Sequence, residues 1–366
     1  MSSEANKLLR AIGELELGPV RLMEVCGTHT MAIAKAGIKA VLPENVTLLS
    51  GPGCPVCVTP AGEIDTVLEL AMEPGVILTS YGDMLRVPGS RPGDSLLRRR
   101  ALGARVEIVY SPVDAVELAE RNPDKQVVFL GVGFETTAPG TAAAVLTAKE
   151  RGLKNFSLWS MLKTVEPALR ALIASEGFAV NGFLCPGHVA TVIGAEGFAF
   201  LPRDYGLPAV VGGFETEAIL LALYLLLRQL AEGKPRLQNA YPRAVSDKGN
   251  LLAQTMLHAC FEPREDDWRG LGAIPGSGLR LREELRAFDA RARFHVTATS
   301  ESAPTACRCG EVICGRLGPE GCPLFGKRCT PEDPVGPCMV SSEGACAARY
   351  KFQPLSMGEG ETMNNE

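Results

Sequence analysis

The chain reads as an α/β protein: two Rossmann-like open parallel-sheet domains facing a central cleft, plus a small cysteine-rich iron–sulfur domain. Three observations predict this. From about residue 20 to residue 232, short strand-like runs alternate with helical patterns, the order that builds parallel βαβ units. The segment Gly133-Phe-Glu-Thr-Thr137 is echoed by Gly213-Phe-Glu-Thr-Glu217, each after a strand candidate and before a helix, which hints at two related halves. Cysteine usage is uneven: Cys26, Cys54, Cys57, Cys185 and Cys260 are spread over the first two-thirds, while the other seven of the twelve crowd into Cys307 to Cys346.

Taken in order, residues 7–17 read as a short amphipathic helix and 21–25 as a strand ending at Cys26-Gly-Thr-His29-Thr30. Thr28 suits the cap of a helix running to about Ala36, with Gly37 as its stop. Strand candidates follow at 46–50, 75–80, 105–110 and 126–131, separated by helical patterns around 61–72, 92–102 and 112–121. After the first of them comes Gly51-Pro-Gly-Cys54-Pro-Val-Cys57-Val-Thr59-Pro60, a C-x-x-C in a proline-stiffened loop. Thr59 is a good N-cap for the next helix, and Pro60 fits its first turn, where a missing N–H costs nothing. The pattern repeats with strands at 156–161, 182–185 and 208–212 and helices at 167–176, 189–195 and 215–232.

After Gly233-Lys234-Pro235 the character changes. Residues 236–300 read as mostly helical with loops, and from Ser302 the chain is loop-like and rich in Gly, Pro and Cys. A segment of that kind cannot hold itself together through an apolar core and needs a metal centre. The expected division is an α/β domain at 1–125 carrying Cys-Gly-Thr-His and Cys-Pro-Val-Cys, and a second at 126–235 carrying Gly-Phe-Glu-Thr-Thr and Pro-Gly-His-Val. The third unit, 236–366, is expected to be a helical and loop domain binding a [4Fe–4S] cluster.

At 366 residues, with 46% hydrophobic and 22% charged side chains, the chain has the makeup of a globular protein able to bury a sizeable core. Its net charge of −5 argues against a nucleic acid or an anionic membrane as partner. No basic region followed by an apolar run opens the sequence, and the longest apolar run, Ala218 to Leu227, is too short to span a bilayer. A cytoplasmic location is expected, and there cysteines point to metal or thiol chemistry rather than disulfide stapling. There is no G-x-x-x-x-G-K-[ST] loop and no well-placed G-x-G-x-x-G, so an ordinary nucleotide-driven enzyme is not indicated.

Four polar motifs fall where a predicted strand hands over to a helix: Cys26-Gly-Thr-His29, Gly51 to Pro60, Gly133 to Pro139, and Pro186-Gly-His188-Val189. In open α/β sheets ligands bind beyond the carboxyl ends of strands, next to helix N-termini, so the four motifs are expected to face one cleft. Cys26 and His29 are spaced to reach one ion, and a thiolate with an imidazole suits zinc, iron or copper. A capping or hydrogen-bonded core histidine is the plain alternative. Cys54 and Cys57, near the positive end of a helix dipole, suit metal holding or redox exchange, with buried structural thiols as the alternative. Glu135, Thr136 and Thr137 offer a carboxylate and two hydroxyls, or a helix cap. His188 offers proton donation or ligation, or hydrogen bonds to backbone carbonyls. Cys185 and Cys260 read as small core residues. The widely spaced cysteines of the tail suit a cubane cluster better than zinc, which uses close cysteine pairs, and Cys307 and Cys309 are placed to relay electrons.

These residues also resemble a known family. Met23-Glu-Val-Cys26-Gly-Thr-His29-Thr, Gly51 through Pro60, Gly82-Asp-Met-Leu-Arg-Val-Pro88-Gly, Gly133-Phe-Glu-Thr-Thr-Ala-Pro139 and Pro186-Gly-His188-Val are similar to motifs of HypD, the [NiFe]-hydrogenase maturation family. So is the tail from Pro323-Leu-Phe-Gly-Lys-Arg-Cys329 through Gly336-Pro-Cys338-Met-Val-Ser-Ser-Glu-Gly-Ala-Cys346, and the likeness covers about residues 20–350. The resemblance implies a scaffold for assembling the Fe(CN)2CO moiety of the hydrogenase. A HypC-type small chaperone would share the iron, a HypE-type protein would donate cyanide, and the hydrogenase large subunit would be served indirectly. It further implies Cys26 as the thiolate for that transient cyanide- and carbonyl-ligated iron, with His29 close by, and Cys54 and Cys57 as a redox-active pair. Cys322, Cys329, Cys338 and Cys346 would hold a [4Fe–4S] cluster, and Glu135, Thr136, Thr137 and His188 would line the cleft.

The sequence departs from the family where Gly213-Phe-Glu-Thr216 replaces Gly-Phe-Glu-Pro, and Cys314 takes no role by resemblance. The expected function is an assembly scaffold with redox activity rather than a conventional turnover enzyme. From the residues alone two rivals stay open: a stand-alone iron–sulfur-dependent thiol–disulfide reductase that needs Cys54 and Cys57 but not Cys26, and a zinc-stabilised binding module.

Overall fold

Among the residues described, 2–296 and 306–352 of a computed structural model, nine strands carry the α/β part of the fold. They are β1 (Val20–Glu24), β2 (Val46–Ser50), β3 (Val76–Ser80), β4 (Val106–Ile108), β5 (Gln126–Gly133), β6 (Phe156–Leu162), β7 (Gly182–Pro186), β8 (Ala209–Gly212) and β9 (Leu237–Asn239). They form two all-parallel sheets, in the orders β2-β1-β7-β8-β9 and β4-β3-β5-β6. The central strands are mostly apolar, and β3, β6 and β7 are buried at every position, as expected of sheets covered on both faces. The edge strand β2 is half open. Helices Ala61–Leu70, Pro112–Arg121, Ala138–Glu150, Val165–Ala174 and Thr216–Glu232 supply the cover.

The two parallel sheets agree with the expected architecture, but they do not divide at residue 125. β1 and β2 pair with β7, β8 and β9, so one α/β unit is built from both ends of this stretch and the unit of β3 to β6 is inserted into it. Leu22, Met23 and Glu24 of β1 register with Gly182, Phe183 and Leu184 of β7. Periodicity identifies a strand from its own residues; it carries no information on which distant strand becomes the neighbour.

A second correction concerns residues 236–300, expected to be mostly helical. Helix Leu251–Cys260 is present, but it leads into an antiparallel hairpin of β10 (Phe261–Trp268) and β11 (Gly272–Leu281), with a register shift between Arg264 and Asp266. Gly270 and Gly272 hold positive φ at its turn, a conformation that glycine takes without steric cost. The pattern was hidden because polar groups fasten this hairpin to β6. Lys163, 2% exposed, pairs with Asp266 at 2.8 Å and donates to the Asp267 carbonyl at 2.7 Å. Ser160 donates through Oγ to the Leu279 carbonyl at 2.6 Å, and Arg264 donates to the Ser160 carbonyl at 3.2 Å.

The cysteine-rich tail forms short helices, Cys309–Ile313, Pro337–Val340 and Ala345–Phe352. The first two pack on the one-turn helix Pro55–Val58, and the last packs on helix Gly27–Lys35. Residues 297–305 and 353–366, part of the expected third unit, lie outside the described residues. No described helix is long and apolar enough to cross a membrane.

Removing Lys163 would leave Asp266, 14% exposed, with Arg264 at 3.5 Å as its remaining cation. Lys163→Ala is expected to lower the unfolding free energy by about 2–3 kcal/mol, less than the full loss from a buried pair because Arg264 stays. A denaturant titration showing a loss below about 1 kcal/mol, the range of an exposed ion pair, would show that the hairpin does not depend on it.

Candidate functional site

β1 ends at Glu24, and Cys26 is the N-cap of helix Gly27–Lys35. Thr28 is therefore inside the first turn rather than at the cap. The backbone N–H groups of Thr28 and His29 reach toward the Cys26 thiol and favour its thiolate, but burial outweighs them and pushes the thiol up to about 12.

The Cys-Pro-Val-Cys loop is pressed against this turn. Gly27 N–H donates to the Gly53 carbonyl at 2.9 Å, and Gly51 N–H donates to the Glu24 carbonyl at 2.8 Å. A Cβ on Gly53 would collide with the backbone of Val25 and Cys26, so only glycine permits this approach. Cys54 and Cys57 are joined as a disulfide with their Cα atoms 5.2 Å apart. Cys54 N-caps the helix Pro55–Val58 by accepting from Cys57 N–H through Sγ at 3.3 Å. Thr59 is not the expected cap, because its hydroxyl donates to the Pro55 carbonyl at 2.9 Å and helix Ala61–Leu70 begins after Pro60 without a side-chain cap.

All four predicted motifs contribute to one cleft of about 380 Å³. Cys26 and Thr28 come from the end of β1, Gly53 and Pro55 from the loop after β2, Thr136 and Thr137 from the end of β5, and His188 from the end of β7. The expected convergence therefore exists, and it joins the carboxyl ends of strands from both sheets.

Four expected site residues are absent from the cleft wall: Cys54 and Cys57, which are buried behind Gly53 and Pro55, and Glu135 and His29, which point elsewhere. Glu135 is buried behind the wall, where it accepts from Val165 N–H at 2.9 Å at the start of helix Val165–Ala174. Unpaired amides and the dipole at a helix start attract a carboxylate. Its Oε2 has no hydrogen-bond partner among the described residues, and burial raises its pKa to about 7. His29 is fully buried and absent from the cleft wall. Its Nε2 donates to the Gly213 carbonyl at 2.8 Å, which leaves Nδ1 with the lone pair and no partner among the described residues. Burial lowers its pKa to about 4, so the ring is neutral.

Three contributors were missed by the sequence reading. Phe214 wedges between the histidines, its ring centroid 4.7 Å from His29 and 4.0 Å from His188. The echo Gly213-Phe214 after β8 was the available signal, because β8 adjoins β7 in the sheet that ends at the cleft. Glu24 is buried, accepts from Cys26 N–H at 3.0 Å and from the Thr30 hydroxyl, and is raised to about 7 by burial. Glu343, between Cys338 and Cys346, reaches the cleft and accepts from the Thr28 hydroxyl at 2.6 Å, whose oxygen lies 3.5 Å from His188 Nδ1. Burial lowers the pKa of His188 against the opposing pull of Glu343.

In the tail, Cys322, Cys329, Cys338 and Cys346 are all buried. Cys309 lies close enough to both Cys307 and Cys338 to influence their ionisation. Burial raises the Cys346 thiol, and nearby Cys309, Cys307, Cys329 and Cys322 raise it further. Gly336 leaves room for Cys307, whose Sγ would lie 2.6 Å from a Cβ there. Among the described residues no three His, Cys, Asp or Glu are grouped to hold a metal ion as they stand. Arg269 donates to the Thr59 carbonyl at 3.0 Å, and its charge favours thiolate at Cys307, Cys309 and Cys338. Cys314 stands apart, with Sγ donating to the Gly270 carbonyl at 3.5 Å. Cys185 is fully buried, and Cys260 donates through Sγ to the Ala142 carbonyl at 3.8 Å.

Comparison with known proteins follows the same residues. A family model for HypD, described as "Hydrogenase formation hypA family", matches residues 3–353. The chain is 49% identical over 338 residues to hydrogenase maturation factor HypD of Azotobacter vinelandii, covering 91% of this chain and 89% of that one. It is 46% identical to the Escherichia coli K12 factor of the same name, with 92% and 90% covered. For the Rhodobacter capsulatus HypD the identity is 43%, with 96% and 94% covered.

Gly53→Ala is expected to destabilise the fold by about 1–3 kcal/mol through overpacking. Gly18→Ala, where a Cβ meets nothing within 4 Å, should change stability by less than about 0.5 kcal/mol in the same thermal melts. For Glu135 the sign follows from its raised pKa: an unfolded carboxyl ionises near 4.5 and the folded one near 7, so the stability it contributes at low pH is lost as pH rises through that window. Glu135→Gln should therefore gain stability relative to the parent from pH 4.5 to 7, by an amount on the order of 3 kcal/mol. Parallel pH–stability curves for the two proteins would refute this.

Proposed function

Because the chain belongs to the HypD family of hydrogenase maturation factors, we propose that it is the scaffold on which the Fe(CN)2CO moiety of [NiFe] hydrogenase is assembled. A HypC-type small chaperone and a HypE-type cyanide donor are its partners, and the hydrogenase large subunit receives the product indirectly. One observation carries this reading: a thiol and a C-x-x-C pair, from separate loops, are held backbone against backbone at a cleft where all four motifs meet.

In this reading the iron is cargo. The Cys26 thiol is held protonated by burial and becomes a ligand when a cation offsets that penalty. A soft thiolate suits iron that is acquiring strong-field ligands. The cleft has room for a small complex, and the hydroxyls of Thr136 and Thr137 and the His188 ring on its wall can donate to the nitrogen ends of bound cyanide. Glu343 orients Thr28 beside Cys26. Cys54 and Cys57 form the redox pair; opening their bond takes two electrons and two protons and yields two thiols.

The [4Fe–4S] cluster would be held by Cys322, Cys329, Cys338 and Cys346. The donor set matches such a group in chemistry, being wholly sulfur and buried, and bound iron would favour as thiolates groups that burial and neighbouring cysteines keep protonated, as at Cys346. When bound, the cluster supplies one-electron redox chemistry.

The test is an infrared spectrum of the protein copurified anaerobically with a HypC-type partner. Cyanide and carbonyl stretches are expected in the parent complex and absent from Cys26→Ala with its visible iron–sulfur absorption unchanged. A parent complex with a loaded cluster and no such bands would overturn the scaffold reading in favour of a thiol–disulfide reductase.

A further inference from the structure

A second cavity, of about 340 Å³, opens on the far side of helix Gly27–Lys35 from the motifs discussed so far. One wall comes from β2 and that helix; the other comes from the loop 315–320 and helix Ala345–Phe352. Five charged side chains reach it: Arg21, Lys39, Arg316, Arg349 and Glu320. Four cations against one carboxylate is a strong local excess on a chain whose net charge is −5.

The cations are not all neutralised by the fold. Arg349 pairs with Glu320. Arg21 donates to the Gly315 carbonyl at 3.2 Å, a neutral acceptor. Among the described residues no carboxylate lies within ion-pair distance of Arg21, Lys39 or Arg316; the described pairs involve other cations. Glu24 is buried behind Thr30, and its charge acts on Lys39 from beyond that distance. Like charges brought together around a cavity repel one another, and an anion between them removes that repulsion. Between the charged groups, Leu48, Leu317 and Pro319 give the cavity an apolar surface, and its size is within the range of small-molecule sites.

We infer that this cavity binds a small organic oxyanion of two or more charges, its anionic groups held by Arg21, Lys39 and Arg316 and its uncharged body lying against Leu317 and Pro319. Guanidinium groups take carboxylate or phosphate oxygens in pairs, so a phosphate ester and a polycarboxylate share the required chemistry. The ligand touches both the α/β unit and the cysteine-rich tail and ties one to the other. The inference is independent of the proposed scaffold role, which stands or falls on Cys26.

The experiment is calorimetric titration of the anaerobically purified full chain with pyrophosphate and, separately, with citrate. Binding of at least one is expected, and the tighter of the two assigns the head group. Lys39→Ala and Arg316→Ala should each weaken it about tenfold, the effect of one charge-assisted contact. Glu320→Gln should tighten it, because the one carboxylate on the wall is gone. Arg286→Ala, whose side chain pairs with Glu283 elsewhere on the surface, should leave it unchanged. Neither anion binding, equal affinity in the Lys39→Ala and Arg316→Ala proteins, or weaker binding by Glu320→Gln would each overturn the inference. Arg316 is exposed, so its variant folds and keeps the comparison valid.

Discussion

Two backbone hydrogen bonds and one missing side chain bring Cys26 and the Cys54–Cys57 pair together. Gly27 bonds to Gly53, Gly51 bonds to Glu24, and the absence of a Cβ at Gly53 lets the two loops touch. Everything around the cleft is arranged on that contact. β1 and β2 are adjacent and parallel, so their carboxyl ends emerge side by side. The tail helices then pack on the turn that carries Cys57, and Glu343 comes in over Gly27. Loops from separate strands seldom keep such a separation by side-chain packing alone, because rotamers can yield; backbone against backbone cannot.

The titratable groups beneath the cleft share one tendency: burial shifts each toward its uncharged form. Burial raises Glu24 and Glu135 to about 7 and Cys26 to about 12, and lowers His29 to about 4. A buried charge without a partner is expensive, and a group escapes the penalty by giving up or keeping its proton. The interior near pH 7 therefore carries less charge than the same groups would carry in water, while being rich in potential ligands. A cation bound there would compensate such charge, which would couple its binding to proton release. The tail follows the same rule, since its thiols raise one another as well as being desolvated.

Much of this was legible in the residues because strand-to-helix handovers are local. Cys26, the Gly51 to Pro60 loop, Gly133 to Thr137 and His188 each announce themselves by a polar motif after an apolar run, and the rule that parallel sheets bind ligands at carboxyl ends then places them together. What was illegible depended on distant partners. Strand order put β1 beside β7 rather than within a domain ending at residue 125. The hairpin of β10 and β11 is fastened by Lys163, Asp266 and Arg264, charged residues that an apolar periodicity cannot register. Glu135 and His29 were expected at the cleft from their motifs, but their hydrogen-bond targets, the Val165 amide and the Gly213 carbonyl, lie on other strands' loops and leave no local mark.

The order of the strands also sets a timetable for synthesis. β3 to β6 are consecutive, so their sheet can pair once residue 162 has left the ribosome, whereas the sheet that β1 and β2 begin is completed only by β7 and β8 at residues 182–212 and β9 beyond them. Domains generally fold as units while the chain grows, and here the inserted unit is finished before the one that encloses it. Glu343 is later still. Until β7 emerges Cys26 follows a strand whose one available neighbour is β2, with no cleft around it, and the site becomes whole only when the last part of the chain folds back onto the first.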